Sequence, residues 1–174
     1  NPNRILPGYD FAYGGCTRDG DGRDGNPSDP GDWVDASSSG CGPLANSSWH
    51  GTYVTGIIAA TAGNGLGLTG VDWNTKILPV RVLSSAGGYT SDITDGMLWS
   101  AGFPISGIPN NLYPAKVLNL SLGGQAACGP TYQAAVNQVT AAGAVVVAAA
   151  GNEASFVGTP ANCAGVIAVA ANTR

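Results

Sequence analysis

Along this chain the apolar residues change period repeatedly, and each change predicts a different element. The first 48 residues show no sustained period. Gly, Asp, Pro and Ser dominate them, with Asp19-Gly-Asp-Gly-Arg-Asp24 at their centre, and they read as ordered loop. From His50 the pattern turns helical: Val54, Ile57, Ile58 and Thr61 share a face, with small Gly51, Gly56, Ala59 and Ala60 between them. Such a helix can lie close against a sheet. Lys76-Ile-Leu-Pro-Val-Arg-Val82 follows as a short strand, then a helix from about Ser91 to Ala101 with Ser91 or Thr90 as its cap. Lys116 to Ser121 and Ala144 to Ala149 are further strands on either side of a helical Tyr132 to Ala142, and Val166 to Ala171 is the last.

Apolar strands alternating with helices predict βαβ units, hence an α/β fold with a parallel β-sheet and helices on both faces. The connection from Phe103 to Ala115, rich in Pro, Asn and Gly, reads as a surface excursion. At 174 residues the chain suits one domain, with 1–48 as a loop-rich acidic segment and 49–174 as a βα core.

Composition narrows the partners. Charged residues make up 10% of the chain, against roughly 25% in an average globular protein, and there are 27 glycines. A net charge of −4 provides no basic stripe for nucleic acid and no polybasic segment for a membrane surface, so neither partner is expected. No apolar run approaches the roughly 20 residues of a membrane span, and Asn1 to Asp10 lacks the build of a signal peptide. The chain reads as soluble and already processed. Its four cysteines form no CxxC pair, which argues against zinc. Sequence order suggests disulfides Cys16–Cys41 and Cys128–Cys163 and an oxidising, extracellular setting; the alternative is four buried thiols.

Candidate chemistry starts at His50, the only histidine, at the start of a helix in Ser48-Trp-His-Gly-Thr-Tyr-Val-Thr-Gly56. There a ring nitrogen can face a cleft while the helix holds the backbone, as a general base requires; a capping or surface histidine looks the same. Asn152 closes a strand at its carboxyl end, where open α/β sheets place ligands, and its amide could donate to a developing oxyanion or merely form a turn. Ser121-Leu122-Gly123-Gly124 and Ala86-Gly87-Gly88 leave bare backbone after strands. Such edges can pair with an extended peptide, or simply turn.

Together these segments resemble the subtilisin-like serine protease family. His50-Gly-Thr-Tyr-Val-Thr-Gly56 is similar to its histidine motif HGTHVAG. Ile77 to Leu83, Val117-Leu-Asn-Leu-Ser-Leu-Gly123 and Val147-Ala-Ala-Ala-Gly-Asn152 follow in the family's order. Leu6-Pro-Gly-Tyr-Asp-Phe11 looks like the segment that follows the catalytic aspartate in secreted bacterial members. The resemblance implies that His50 is the general base and Asn152 the oxyanion-hole side chain. It also implies that Gly87, Gly88, Ser121, Leu122 and Gly123 flank a peptide or protein substrate, while Ala149, Ala150 and Gly151 line the pocket before the scissile bond.

The triad order in such enzymes is aspartate, histidine, serine. No Asp-Thr-Gly or Asp-Ser-Gly precedes His50 here and no Gly-Thr-Ser follows Asn152, so the chain is expected to be an incomplete catalytic domain, inactive until flanking segments of the same protease supply both groups. Tyr53 stands at a motif position outside the triad. The rival readings are a non-catalytic peptide-binding module and a nucleotide-binding α/β domain. The second rests on Gly65-Leu-Gly-Leu-Thr-Gly70, a GxGxxG that leaves a helix where the fingerprint should open one. No cofactor is required by the proteolytic reading. Asp19, Asp21 and Asp24 form a Gly-rich loop able to wrap structural Ca²⁺, or simply a solvated acidic turn.

Overall fold

A computed structural model of the chain describes residues 2–20 and 22–172. They fall into two compact units, 1–93 and 94–174, the division lying inside one helix.

The first unit is organised by its N-terminal segment, which the sequence pattern presents as loop. Strand β1 (Tyr9–Asp10) pairs in parallel with β2 (Val80–Arg81), Tyr9 opposite Val80. Single bonds extend the ladder: Leu6 N–H donates to Ile77 O at 2.8 Å and Phe11 N–H to Arg81 O at 2.8 Å. Gly8 permits the approach, since a Cβ there would stand 1.9 Å from Pro79 O. The expected strand from Lys76 to Val82 is therefore real as a ladder but regular over only two residues. Tyr9 and Phe11 are buried with ring centroids 5.1 Å apart.

Helix α1 (His50–Ala59) begins at the first residue of the helical period. Its far end is closed by the returning chain: Gly70, Val71 and Asp72 donate to Ala60, Ile57 and Ile58 carbonyls. A Cβ on Gly70 would meet Ala59 and Ala60 backbone at 2.4 to 2.6 Å. This is the structural use of Gly65 to Gly70, a loop leaving a helix with positive φ at Gly65 and Gly67, and it does not open a helix onto a phosphate.

Helix α2 (Thr90–Ser100) carries the division between the units. Thr90, a candidate cap, is its first residue. The excursion from Phe103 to Ala115 is anchored, not merely superficial. Buried Asn111 donates its amide to Trp99 O at 3.0 Å and Ser100 O at 3.2 Å, and Trp99 Nε1–H donates to Pro109 O at 2.7 Å.

The second unit is a three-stranded parallel sheet, order β3 (Val117–Leu120), β4 (Val145–Ala149), β5 (Val166–Val169), with α3 (Pro130–Ala141) crossing between β3 and β4. Leu118 lies opposite Val146 and Leu120 opposite Ala148; these four side chains are buried. On α3 the buried residues are Tyr132, Ala135, Val136 and Val139, the i, i+3, i+4, i+7 stripe of a sheet-covering helix. Pro130 occupies its first turn and Gly143, at φ 81, ends it, each where its backbone preference belongs. The alternate strand positions carry Val117, Val145, Ile167 and Val169, all exposed.

Two disulfides are formed, Cys16–Cys41 and Cys128–Cys163, and among the described residues no cysteine is free. Each closes a loop of 25 or 35 residues. Cys128→Ala with Cys163→Ala should cost about 3 to 4 kcal/mol in the loop-entropy account. A urea midpoint within error of the parent would contradict this.

Candidate active site

His50 is the first residue of α1 and lies at the surface of the first unit. The preceding Trp49 is left-handed, φ 52 and ψ 32, and makes no side-chain cap bond. Ser48 reaches across instead: its Oγ accepts from His50 N–H at 3.3 Å. Gly87 and Gly88, in the same unit, follow β2 in a tight turn. Ser84 N–H donates to Gly87 O at 2.8 Å and Gly87 N–H donates back to Ser84 O at 3.0 Å. Ser85 ties that turn to the Cys16–Cys41 loop, donating its N–H and Oγ–H to Cys16 O. A Cβ on Gly88 would stand 2.4 Å from Val82 O, so backbone lies bare there because nothing larger fits.

In the second unit the candidate residues converge at the carboxyl ends of neighbouring parallel strands, the end at which α/β sheets present ligand-binding loops. Ser121, Leu122 and Gly123 leave β3, while Ala149, Ala150 and Gly151 leave β4 and run to Asn152. A Cβ on Gly123 would lie 3.1 Å from Thr159 O and 3.9 Å from Ala149 O. Gly124 and Thr159 exchange both backbone bonds at 2.9 Å, in front of the cis peptide Thr159–Pro160. The 158–160 segment is a wall that sequence patterning does not disclose, because its pairing with Gly124 spans a helix and a strand. Cys163 holds that segment to Cys128.

Glu153 adds charge. Its Oε2 accepts from Asn152 N–H at 2.8 Å and from Gln125 Nε2 at 2.9 Å. Gly151, at φ 106, leaves room for that oxygen: a Cβ would come within 2.6 Å of it. The Asn152 side chain is at the surface.

The acidic loop is occupied by protein. Arg81, 8% exposed, pairs with Asp10 at 2.5 Å and also with Asp19, and its other nitrogen donates to Thr17 O. Asp10 accepts Ala12 N–H at 2.7 Å as well. Burial works against the Asp19 charge, but the Thr17 hydroxyl and the Arg81 guanidinium outweigh it and lower the pKa. Asp24 accepts Asn26 N–H at 2.7 Å and bonds Asp10 through backbone. Asp21 lies outside the described residues. Among the described residues no three His, Cys, Asp or Glu side chains gather as a metal site; Arg81 takes Asp19 Oδ2, while Asp19 Oδ1 is buried without a hydrogen-bond partner.

Residues 20–174 match the Subtilase family. The chain belongs to the subtilase family. It is 52% identical over 173 residues to the extracellular protease of Xanthomonas campestris pv. campestris, covering 97% of this chain and 30% of that protein. It is 48% identical to the extracellular basic protease of Dichelobacter nodosus, covering 97% of this chain and 29% of that protein. The chain thus spans less than a third of the length of these two relatives. A solved protease structure from Pseudoalteromonas arctica superposes with a TM-score of 0.88 at 48% identity, over 95% of this chain and 50% of that one. The α/β architecture with parallel strands is that of a subtilase.

Proposed function

We propose that this chain is part of the catalytic domain of a secreted serine endopeptidase, with all of 1–174 belonging to that one domain. The observation that carries the reading is His50 at the head of α1, in a chain whose residues 20–174 match the subtilase family. His50 is the general base: it takes the proton of a serine hydroxyl as the oxygen attacks the peptide carbonyl, then passes it to the leaving amine. Water then hydrolyses the acyl-enzyme by the same base. Asn152 donates its amide to the oxyanion. Gly87, Gly88, Ser121, Leu122 and Gly123 flank the peptide, and Ala149 to Gly151 line the pocket for the side chain before the scissile bond. This chemistry calls on side chains alone and no cofactor.

The triad aspartate and serine belong to other segments of the same protease, so these 174 residues alone do not turn over substrate. Apolar Val117, Val145, Ile167 and Val169 are exposed on one side of the second sheet, and Tyr53 and Ile57 on α1, surfaces suited to burial under those segments. Two disulfides and the extracellular naming of the relatives support secretion.

A fluorophosphonate should label the full-length protein at one serine, and the absence of labelling would leave only a peptide-binding module. Asn152→Ala should lower kcat by about 10² to 10³ with KM little changed, a magnitude taken over from subtilisin itself. A kcat within a factor of about three of the parent would remove Asn152 from the oxyanion hole.

A further inference from the structure

We propose that Asp32 and Ser48 are positioning residues for His50, holding the strained residue before it so that the helix delivers the imidazole in one direction. The inference rests on the reading of His50 as the general base.

The geometry begins with a short antiparallel contact. Val34, within the loop closed by Cys16–Cys41, and Ala45, just beyond it, exchange backbone bonds at 2.8 and 3.0 Å, and this sets Asp32 opposite Ser47 and Ser48. Gly31, at φ 117, lets the two strands of chain close up: a Cβ there would stand 2.6 Å from Ser47 Oγ. The Asp32 carboxylate then takes both donors of Ser48, the backbone N–H on Oδ1 at 2.6 Å and the hydroxyl on Oδ2 at 2.6 Å. The Ser48 hydroxyl, its proton committed to Asp32, has a lone pair turned to His50 N–H.

Trp49 explains why such a clamp is needed. A left-handed conformation is unfavourable for a non-glycine residue and persists only where its surroundings impose it. Asp32 lies 16 positions before Ser48. It replaces the local cap that α1 lacks, holding Ser48 before Trp49 and, through the Ser48 hydroxyl, the His50 N–H after it. Partial burial raises the Asp32 pKa, yet the bonds from Ser48 outweigh it and the carboxyl titrates below its ordinary value, as a committed acceptor should. Without this carboxylate Trp49 relaxes toward extended backbone and the Cα–Cβ bond of His50 swings away, a displacement to which general-base catalysis is sensitive.

The test uses the full-length protease with active sites counted by burst titration, so that only folded enzyme enters kcat. Asp32→Ala should lower kcat per site about tenfold and Ser48→Ala about threefold, with KM within about a factor of two, and Asp32→Asn should recover most of the loss because its amide oxygen still accepts. Asp35→Asn, in the same loop but bonded to Ser37, Ser38 and Trp33, should leave kcat unchanged. Unchanged kcat in Asp32→Ala and Ser48→Ala, a loss carried by KM, or an equal loss in Asp35→Asn would each overturn the proposal. Should Asp32→Ala yield no titratable sites, Ser48→Ala decides alone. His50→Ala separates the two readings: ordinary turnover in that variant sinks the general-base role itself, whereas abolished turnover beside an unaffected Asp32→Ala sinks only the positioning role.

Discussion

Replacing His50 by alanine in the full-length protease should lower kcat by about 10⁴-fold or more while KM stays within a few-fold, a magnitude again taken over from subtilisin. The serine hydroxyl is a poor nucleophile at its ordinary pKa, and attack on an amide carbonyl requires its proton to leave as the bond forms. Removing the base removes an interaction made in the transition state only, so the loss appears in kcat, not in binding. What remains comes from the oxyanion donors and the aligned substrate. No second imidazole exists in these 174 residues to take over the role. Steady-state rates on a chromogenic peptide decide the matter, and a variant within tenfold of the parent would end the assignment.

Arg81→Ala should be the most damaging single change for stability, costing about 3 to 5 kcal/mol. Arg81 sits between two carboxylates in a region closed to water, with side-chain exposures of 2% for Asp10 and 17% for Asp19. Deleting the guanidinium leaves Asp10 buried without its counter-charge and strips Thr17 O of its donor. Arg81→Lys should recover only part of the loss, since a single ammonium cannot reach three acceptors in the directions a planar fork does.

The pH dependence follows from the two carboxylates. Asp19, with its pKa lowered in the fold, contributes stability that is complete above the ordinary carboxylate value and fades as pH falls through the depressed one. Asp10 runs the other way: burial raises its pKa despite Arg81 and the Ala12 N–H, so its ionisation costs the fold increasingly as pH rises through the raised value. Acidification should therefore rescue Arg81→Ala relative to the parent, because protonation neutralises the charge left behind. Urea midpoints at unchanged slope, taken at neutral and acid pH, measure this; a deficit that does not shrink on acidification would show that lost packing, not charge, is responsible.

Elements whose apolar positions answer to a local partner were legible in the sequence. Helix α3 and strands β3, β4 and β5 fall within a few residues of their expected bounds, because Val136, Val139, Val146 and Ala148 bury against neighbours reached by short connections. The histidine and asparagine motifs were legible because each sits at an element's end, at His50 and just beyond Ala149. Long-range polar pairing was not. Asp19 reads as part of a calcium loop or a solvated acidic turn with Asp21 and Asp24, and nothing in that pattern discloses its pairing with Arg81, 62 positions on. Asp10 reads as loop although it belongs to a buried strand. The same reach hides Asp32, which looks like one more aspartate in an acidic turn until the Val34–Ala45 contact brings Ser48 to it. A carboxylate has no periodicity to betray where it points.

The separation of Asp10 and Arg81 also bears on how the molecule is made. They are 71 positions apart, so at cellular rates of translation roughly 4 to 14 seconds pass between the synthesis of the carboxylate and that of its guanidinium. Throughout that interval β1 has no strand to join and Asp10 must remain in water. The sheet of β3, β4 and β5, by contrast, pairs Val117 with Val145 and Val146 with Val166, closing small loops as each strand emerges. Strand β1 thus waits longer for its partner than any strand of that sheet waits for its own.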